Sequence, residues 1–265
     1  MTSDSSSPWW SVLYGQLAEL DEGFVGAPDA YARRQLDLAE RLLALPQGGE
    51  VLDLGCGAGR HAILLAERGY QVTGVDVDPA LIERARARWS ARHGAAAGPR
   101  FEVGDMRAPP AEGPFDAAIM MDVALGVFDD DADHLRTLGA VVDRLRDRGR
   151  LLIELYNPYY WAANARTVHY PPGALLPDGD LVRTYRFDAL RGRVEDRVVV
   201  FDADGRRAMP TQSLRSWTPP EILNLVQAAG FSEATIHGTD GWQPPEDPLP
   251  LDPGRSVFMW VVATL

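Results

Sequence analysis

The chain has 265 residues, 46% of them hydrophobic, and a formal net charge of −12: enough length for one large α/β domain with an insertion, and the wrong sign for a nucleic-acid partner. All 26 basic residues are arginine, so Schiff-base chemistry, pyridoxal phosphate anchoring and a phosphate-loop lysine are excluded together. The single cysteine excludes an internal disulfide or a cysteine metal cluster, and no apolar run reaches the ~18 residues of a membrane span, so a cytoplasmic location without membrane or metal is the expectation.

Residues 1–8 are polar and serine-rich, an expected disordered head, and an aromatic segment with Trp9, Trp10 and Tyr14 follows. Apolar positions at 31, 38, 42 and 45 predict a helix over 28–45, which ends an N-terminal helical cap (9–45) and closes at Pro46 and Gly48. Next come a strand at 50–54, a helix at 60–68 stopped by Gly69, and a strand at 71–75. Asp78 as N-cap and Pro79 at the first helical position open a helix with Leu81, Ala85 and Trp89 on one face. Strands at 100–104 and 116–121 precede a helix over 131–147, with Leu135, Leu138, Val142 and Leu145 on its face, and a strand at 150–155 after Gly149. From 158 to 217 the period drops to two. Segments 181–187, 193–201 and 206–217 alternate, with Asp204-Gly205 as a turn, which predicts an antiparallel insertion. Thr218-Pro219-Pro220-Glu221 is a capping box that opens a helix ending at Gly230, and strands at 233–237 and 256–264 finish the chain. The domain plan is a core of 9–157 and 218–265 with residues 158–217 as a lid over the site.

The most informative stretch is Val51 to Gly59, a buried-strand run breaking into a turn with glycines at 55, 57 and 59, followed by a second apolar run that ends at Asp76. Such a pair binds a nucleoside: the glycines let backbone approach a ligand, and the carboxylate sits where ribose hydroxyls need an acceptor. The dinucleotide fingerprint wants a glycine where Arg60 stands, and Asp53 would place a carboxylate near a pyrophosphate, whereas a cofactor bearing an ammonium suits it.

Taken with Gly74 to Asp78 and Gly104 to Met106, these segments resemble the class I S-adenosylmethionine-dependent methyltransferases. Phe115-Asp116 and the 145–153 stretch are similar to the family's fourth strand and the approach to its fifth. The resemblance implies a doubly wound, Rossmann-like α/β fold: a mostly parallel seven-stranded sheet with an antiparallel last strand, here with the antiparallel lid. It implies S-adenosylmethionine as cofactor and methyl transfer to N, O or C of a small-molecule acceptor, with secondary metabolism as a setting. An NAD-type oxidoreductase and a non-methylating protein of the same fold stand as alternatives.

Ligands in such sheets bind beyond the carboxyl ends of the strands. The expected cofactor residues are Asp53, Gly55, Cys56, Gly57, Gly59, Asp76, Val77, Asp105, Met106, Met121 and Tyr14, with Cys56 as a small residue between glycines rather than a nucleophile. Asp105 and Met106 are adenine neighbours by resemblance. His61 either touches the cofactor or packs on its helix. His169 and Asp122 are rival bases, and Tyr156 joins them as a catalytic candidate. Tyr156, Tyr160, Trp161, His169, Arg215 and Trp217 are the expected acceptor contacts, the aromatic ones as a box and Arg215 against a substrate carboxylate. A homodimer through the edge of the lid is a further expectation.

Overall fold

The computed structural model describes residues 29–171 and 179–265. Helix α1 (Asp29–Leu43) leads into β1 (Glu50–Leu54), α2 (Arg60–Glu67), β2 (Gln71–Asp76), α3 (Pro79–His93), β3 (Arg100–Val103) and β4 (Phe115–Met120). A 3-10 turn (Ala124–Val127), α4 (Asp131–Val142) and β5 (Leu145–Tyr156) follow. The caps act as their sequences require. Asp78 accepts from Ala80 N at 2.8 Å ahead of Pro79, and Asp130 does the same for α4 from Ala132 N at 2.9 Å.

The helix expected to run to 147 stops at Val142, and β5 starts before Gly149. Arg144 is the cause: its guanidinium donates to the carbonyls of Ala140, Ala111 and Pro109 at 2.7–2.9 Å and pulls the chain toward the β3–β4 connection. Leu145 then pairs with Phe115, and residues 146–149 bulge out opposite Asp116 before Arg150 pairs with Ala117.

After β5, Asn157 and Pro158 repeat the Asp78-Pro79 signal and open a short helix, α5 (Pro158–Ala163), inside the segment expected to be all strand. The antiparallel region then forms β6 (Arg166–Tyr170), β7 (Asp180–Asp188), β8 (Arg193–Asp202), β9 (Gly205–Ala208) and β10 (Gln212–Arg215). The strand expected over 206–217 is two strands, since Pro210 has no N–H to continue the ladder. Both still lie along the same edge of β8. Helix α6 (Pro219–Ala229), with its capping box at Thr218 and Glu221, precedes β11 (Glu233–Gly238) and β12 (Phe258–Thr264).

The main sheet has the order β11-β12-β5-β4-β1-β2-β3, parallel except for β12, which runs against both neighbours. Its side chains alternate between two core layers. Leu52, Leu54, Leu151 and Ile153 meet α4 and α6, while Val51, Leu152, Trp260 and Phe258 meet α1 and α2. No helix among the described residues is long and apolar enough to cross a membrane.

One buried arginine helps to fasten the second sheet to the first. Arg193 donates to Phe128 O at 2.9 Å, to Gly126 O at 3.4 Å and to Ser213 Oγ at 2.8 Å, and the loop comes so close that a Cβ on Gly126 would sit 2.7 Å from Arg215 O. Replacing Arg193 by methionine leaves those carbonyls without a donor, so urea unfolding should show a loss of about 3 kcal/mol. A loss under about 1 kcal/mol would mean that water replaces the guanidinium.

Candidate functional site

Four strand ends of the main sheet surround one pocket. Residues 55–58 with Arg60 and His61 come from the turn after β1, Val75, Asp76 and Val77 from the end of β2, Gly104, Asp105 and Met106 from the end of β3, and Met121, Asp122, Ala124, Val127 and Phe128 from the loop after β4. Leu81 and Arg88 of α3 close one side.

The three glycines of the turn all have positive φ, 72°, 54° and 76°, but they serve different ends. A Cβ on Gly55 would lie 2.9 Å from Ala124 Cβ, and one on Gly59 only 2.8 Å from both Ala85 Cβ and the Phe101 ring, so these two glycines allow close packing. A Cβ on Gly57 would meet nothing within 4 Å, and this residue lines the pocket. Its amide donates to Asp76 Oδ2 at 2.8 Å, while Asp76 Oδ1 accepts from Asp78 N at 3.0 Å. The Asp76 carboxylate is thereby fixed by two backbone donors with lone pairs to spare, and burial raises its pKa. The Cys56 thiol is buried, which pushes its pKa up and keeps it protonated. Asp105 is held by the Arg107 guanidinium at 2.6–3.1 Å, which lowers its pKa, and the same guanidinium bridges to Asp133 and lies over the Phe128 ring.

At the β4 end the backbone is strained: Asp122 and Val123 have φ of 52° and 64°, a conformation L-residues seldom adopt, least of all a β-branched one. The Asp122 carboxylate is ion-paired to Arg60 and 51% exposed, facing the pocket. Against the cost of burial, Arg60 holds its pKa below the usual carboxylate range. Behind it lies a dry network. Glu154 on β5, 1% exposed, accepts from Asp122 N at 2.9 Å, Trp260 Nε1 at 2.9 Å and Gln35 Nε2 at 3.2 Å, and Gln35 Oε1 sits 2.9 Å from His61 Nε2. Burial, then the Asp122 charge, pushes Glu154 up to about 7. Asp53 is likewise 1% exposed and pushed to about 7 by burial, then by Asp122 and Asp76, and its Oδ2 has no hydrogen-bond partner. Burial lowers His61 to about 4, so it is neutral.

A family model described as a methyltransferase domain matches residues 51–149. Over 196 residues, 71% of this chain and 75% of the relative, the sequence is 31% identical to YqeM of Bacillus subtilis (strain 168), a protein named as a methyltransferase. The chain belongs to the class I S-adenosylmethionine-dependent methyltransferases. Two solved structures share its fold. The CcbJ methyltransferase from Streptomyces caelestis has a TM-score of 0.76 and 18% identity over 97% of each chain. S-adenosylmethionine-bound CalS10, an amino pentose methyltransferase from Micromonospora echinaspora, has a TM-score of 0.65 and 22% identity over 95% of this chain and 96% of that one.

The residues present in this methyltransferase fit its cofactor. Gly57 leaves open space where a side chain would intrude, Asp76 keeps acceptor capacity for ribose hydroxyls, and the orphaned Asp53 Oδ2 is a buried polar atom beneath the turn that a cofactor ammonium would pair and ionise. The glycine roles separate experimentally. Gly59→Ala overlaps Ala85 and Phe101 and should cost about 2–4 kcal/mol of stability. Gly57→Ala should unfold within about 1 kcal/mol of wild type yet bind S-adenosylhomocysteine about tenfold more weakly by calorimetry, since its methyl enters the pocket. Unchanged affinity in Gly57→Ala would show that the cofactor does not approach this turn.

Of the sequence-expected cofactor residues, the structure brings Gly55, Cys56, Gly57, Asp76, Val77, Asp105, Met106 and Met121 to the pocket, places Asp53 and Gly59 behind it, and Tyr14 lies outside the described residues. The aromatic box does not form. Trp217, 2% exposed, packs edge-on against His134 in the α4/α6 layer, whereas Tyr156 and Trp161 are buried in the opposite layer with Phe258, Tyr185 and Trp242, so the sheet itself separates them. Tyr160 is half-buried against Trp161. Arg215 is spent on Ser216 O and Gly192 O and on ion pairs with Glu221 and Asp131. His169 is exposed on β6 and paired with Asp180 at 2.7 Å. Among the described residues of 158–217 none lines the pocket, and Arg193 of this sheet braces the β4 loop. Sequence reasoning missed Gln35, Glu154, Trp260 and the Arg60–Asp122 pair. The available signal was Glu154 itself, the one acid in the apolar run Leu151–Tyr156.

Proposed function

We propose that this methyltransferase transfers the methyl group of S-adenosylmethionine to a nitrogen or oxygen of a small-molecule acceptor presented beside Asp122. One observation carries the reading: a carboxylate at the end of β4, set on a strained turn, ionised and exposed to the same pocket as the glycine turn and Asp76. Asp76 would hold the ribose, the Gly57 turn the amino-acid portion with Asp53 beneath it, and Asp105 and Met106 the adenine. Bound there, S-adenosylmethionine supplies an electrophilic methyl on sulfur. Asp122 accepts a hydrogen bond from the acceptor's N–H or O–H and so aims a lone pair, and holding a nucleophile in line accounts for much of the acceleration. Its lowered pKa makes it too weak a base for an unactivated C–H, which favours heteroatoms over carbon. The net charge of −12 supports a small acceptor over a nucleic acid.

The test is incubation with methyl-labelled S-adenosylmethionine and a panel of amines, phenols and carboxylates. Label on an amine or phenol is expected. Binding of S-adenosylhomocysteine without transfer to any of them would overturn the reading.

A further inference from the structure

Resting on that placement of Asp122, we propose that Glu154 is the positioning residue of the site: its buried carboxylate locks the strained β4 turn, and through it aims Asp122 at the acceptor. The Asp122 and Val123 backbone is in the left-handed region twice in succession, so something must hold it. The Asp122 amide is tied down by Glu154 Oε2 at 2.9 Å. Glu154 reaches that amide from the neighbouring strand, beneath the pocket floor, where it is 1% exposed and is not itself among the pocket residues.

Its partners explain why the residue is an acid. Asp122 N, Trp260 Nε1 and Gln35 Nε2 are all donors, arriving from the β4 turn, β12 and α1. A carboxylate accepts all of them, while a glutamine would point its amide at one. Gln35 is itself oriented by His61, so the donor side of its amide faces the two carboxylates, reaching Glu154 at 3.2 Å and Asp122 Oδ1 at 3.5 Å. No cation touches Glu154 in compensation, because Arg60 is paired with Asp122. A buried acid held by donors alone is costly as pure scaffold, and its use is to fix geometry. The ionisable groups that act on it directly are Asp122 at the pocket and Tyr31 on α1, with Arg60, His61 and Asp53 beyond them around Asp122. Burial and the Asp122 charge move its titration to about 7, so the hold on the turn weakens as pH falls through neutrality.

The experiment uses the full chain, with S-adenosylhomocysteine as the cofactor-pocket probe and the labelled amine or phenol panel for transfer. In E154Q the S-adenosylhomocysteine Kd should stay within about twofold of wild type while kcat falls about tenfold or more, and D122N/E154Q should be no slower than D122N within about twofold, because support matters only while Asp122 is there to be supported. The acid limb of the wild-type kcat profile should lie near pH 7, vanish in E154Q, and move upward in W260F, which removes one donor to the ionised form. Multiplicative losses in the double variant, or an acid limb that ignores W260F, would overturn the proposal. A readout free of any acceptor is the Asp122 amide in a proton–nitrogen NMR titration, expected to shift with a midpoint near pH 7 in wild type and to stay flat in E154Q. An amide that does not follow Glu154 also overturns it. Absence of S-adenosylhomocysteine binding by the wild type counts against the cofactor reading alone, since the amide titration needs no ligand.

Discussion

Asp76→Asn should weaken S-adenosylhomocysteine binding about a hundredfold if Asp76 holds the ribose as proposed, the size expected when a charged, backbone-anchored acceptor of two hydroxyls is replaced by a half-acceptor. The carboxylate takes hydrogen bonds from Gly57 N at 2.8 Å and Asp78 N at 3.0 Å, so it ties the glycine turn to the start of α3 as well as facing the pocket. An asparagine keeps one oxygen for one of those amides and turns an NH2 toward the other, which loosens the turn and removes the remaining acceptor capacity together. Stability should scarcely fall. Burial already raises the Asp76 pKa, so the charge is a cost to the folded protein, and removing it offsets part of the lost bonding. Calorimetry with S-adenosylhomocysteine beside a urea melt separates the two. Binding within about threefold of wild type would place the ribose anchor elsewhere.

The pocket around the glycine turn was legible in the sequence because backbone geometry demands particular residue types there. Positive φ at 55, 57 and 59 requires glycine, and the strand register places Asp76 beside the turn, so spacing alone carries the inference. The main sheet was legible for a related reason: strands buried on both faces read as continuous apolar runs, and caps such as Asp78-Pro79 mark the crossovers. The helix over 131–147 was overextended because Leu145 continues the helical spacing while in fact pairing with Phe115. The competing instruction, Arg144 reaching back to three carbonyls, is tertiary and has no local signature.

The acceptor half was not legible. Tyr156, Tyr160 and Trp161 crowd together along the chain, but Trp217 is far from them in sequence, and the turn from β10 into α6 carries it to the other layer from Trp161. Gln35 sits between apolar positions of α1 and reads as part of a polar face, although it is fully buried. Its partner Glu154 lies far away in sequence, and Glu154 meets its own donor Trp260 only because β12 inserts beside β5, with Trp260 in register with Glu154.

The same dry acids set the pH dependence of stability. Asp53 and Glu154, each 1% exposed, have folded-state pKa values near 7, against the usual 3.8 and 4.5. Between those limits the folded chain holds protons that the unfolded chain has lost, so both groups favour folding fully below about pH 4, and that contribution disappears as pH rises through about 7. Each is worth about 2–4 kcal/mol, since one pKa unit corresponds to about 1.4 kcal/mol. Asp122, Asp105 and Asp116 have depressed pKa values and act in the opposite sense, but their contribution is lost only as pH falls below the usual carboxylate range. The carboxylate effects therefore occupy different windows, but His61 and His134, each lowered by burial to about 4, favour folding as pH rises through about 6.5 and offset much of the decline. Across pH 5.5 to 8 the urea stability of Asp53→Asn should rise by about 2 kcal/mol relative to wild type, because one buried titration has been removed. An Asp53→Asn curve parallel to wild type across this window would mean that Asp53 is ionised throughout, and that solvent or a cation reaches the floor beneath the glycine turn.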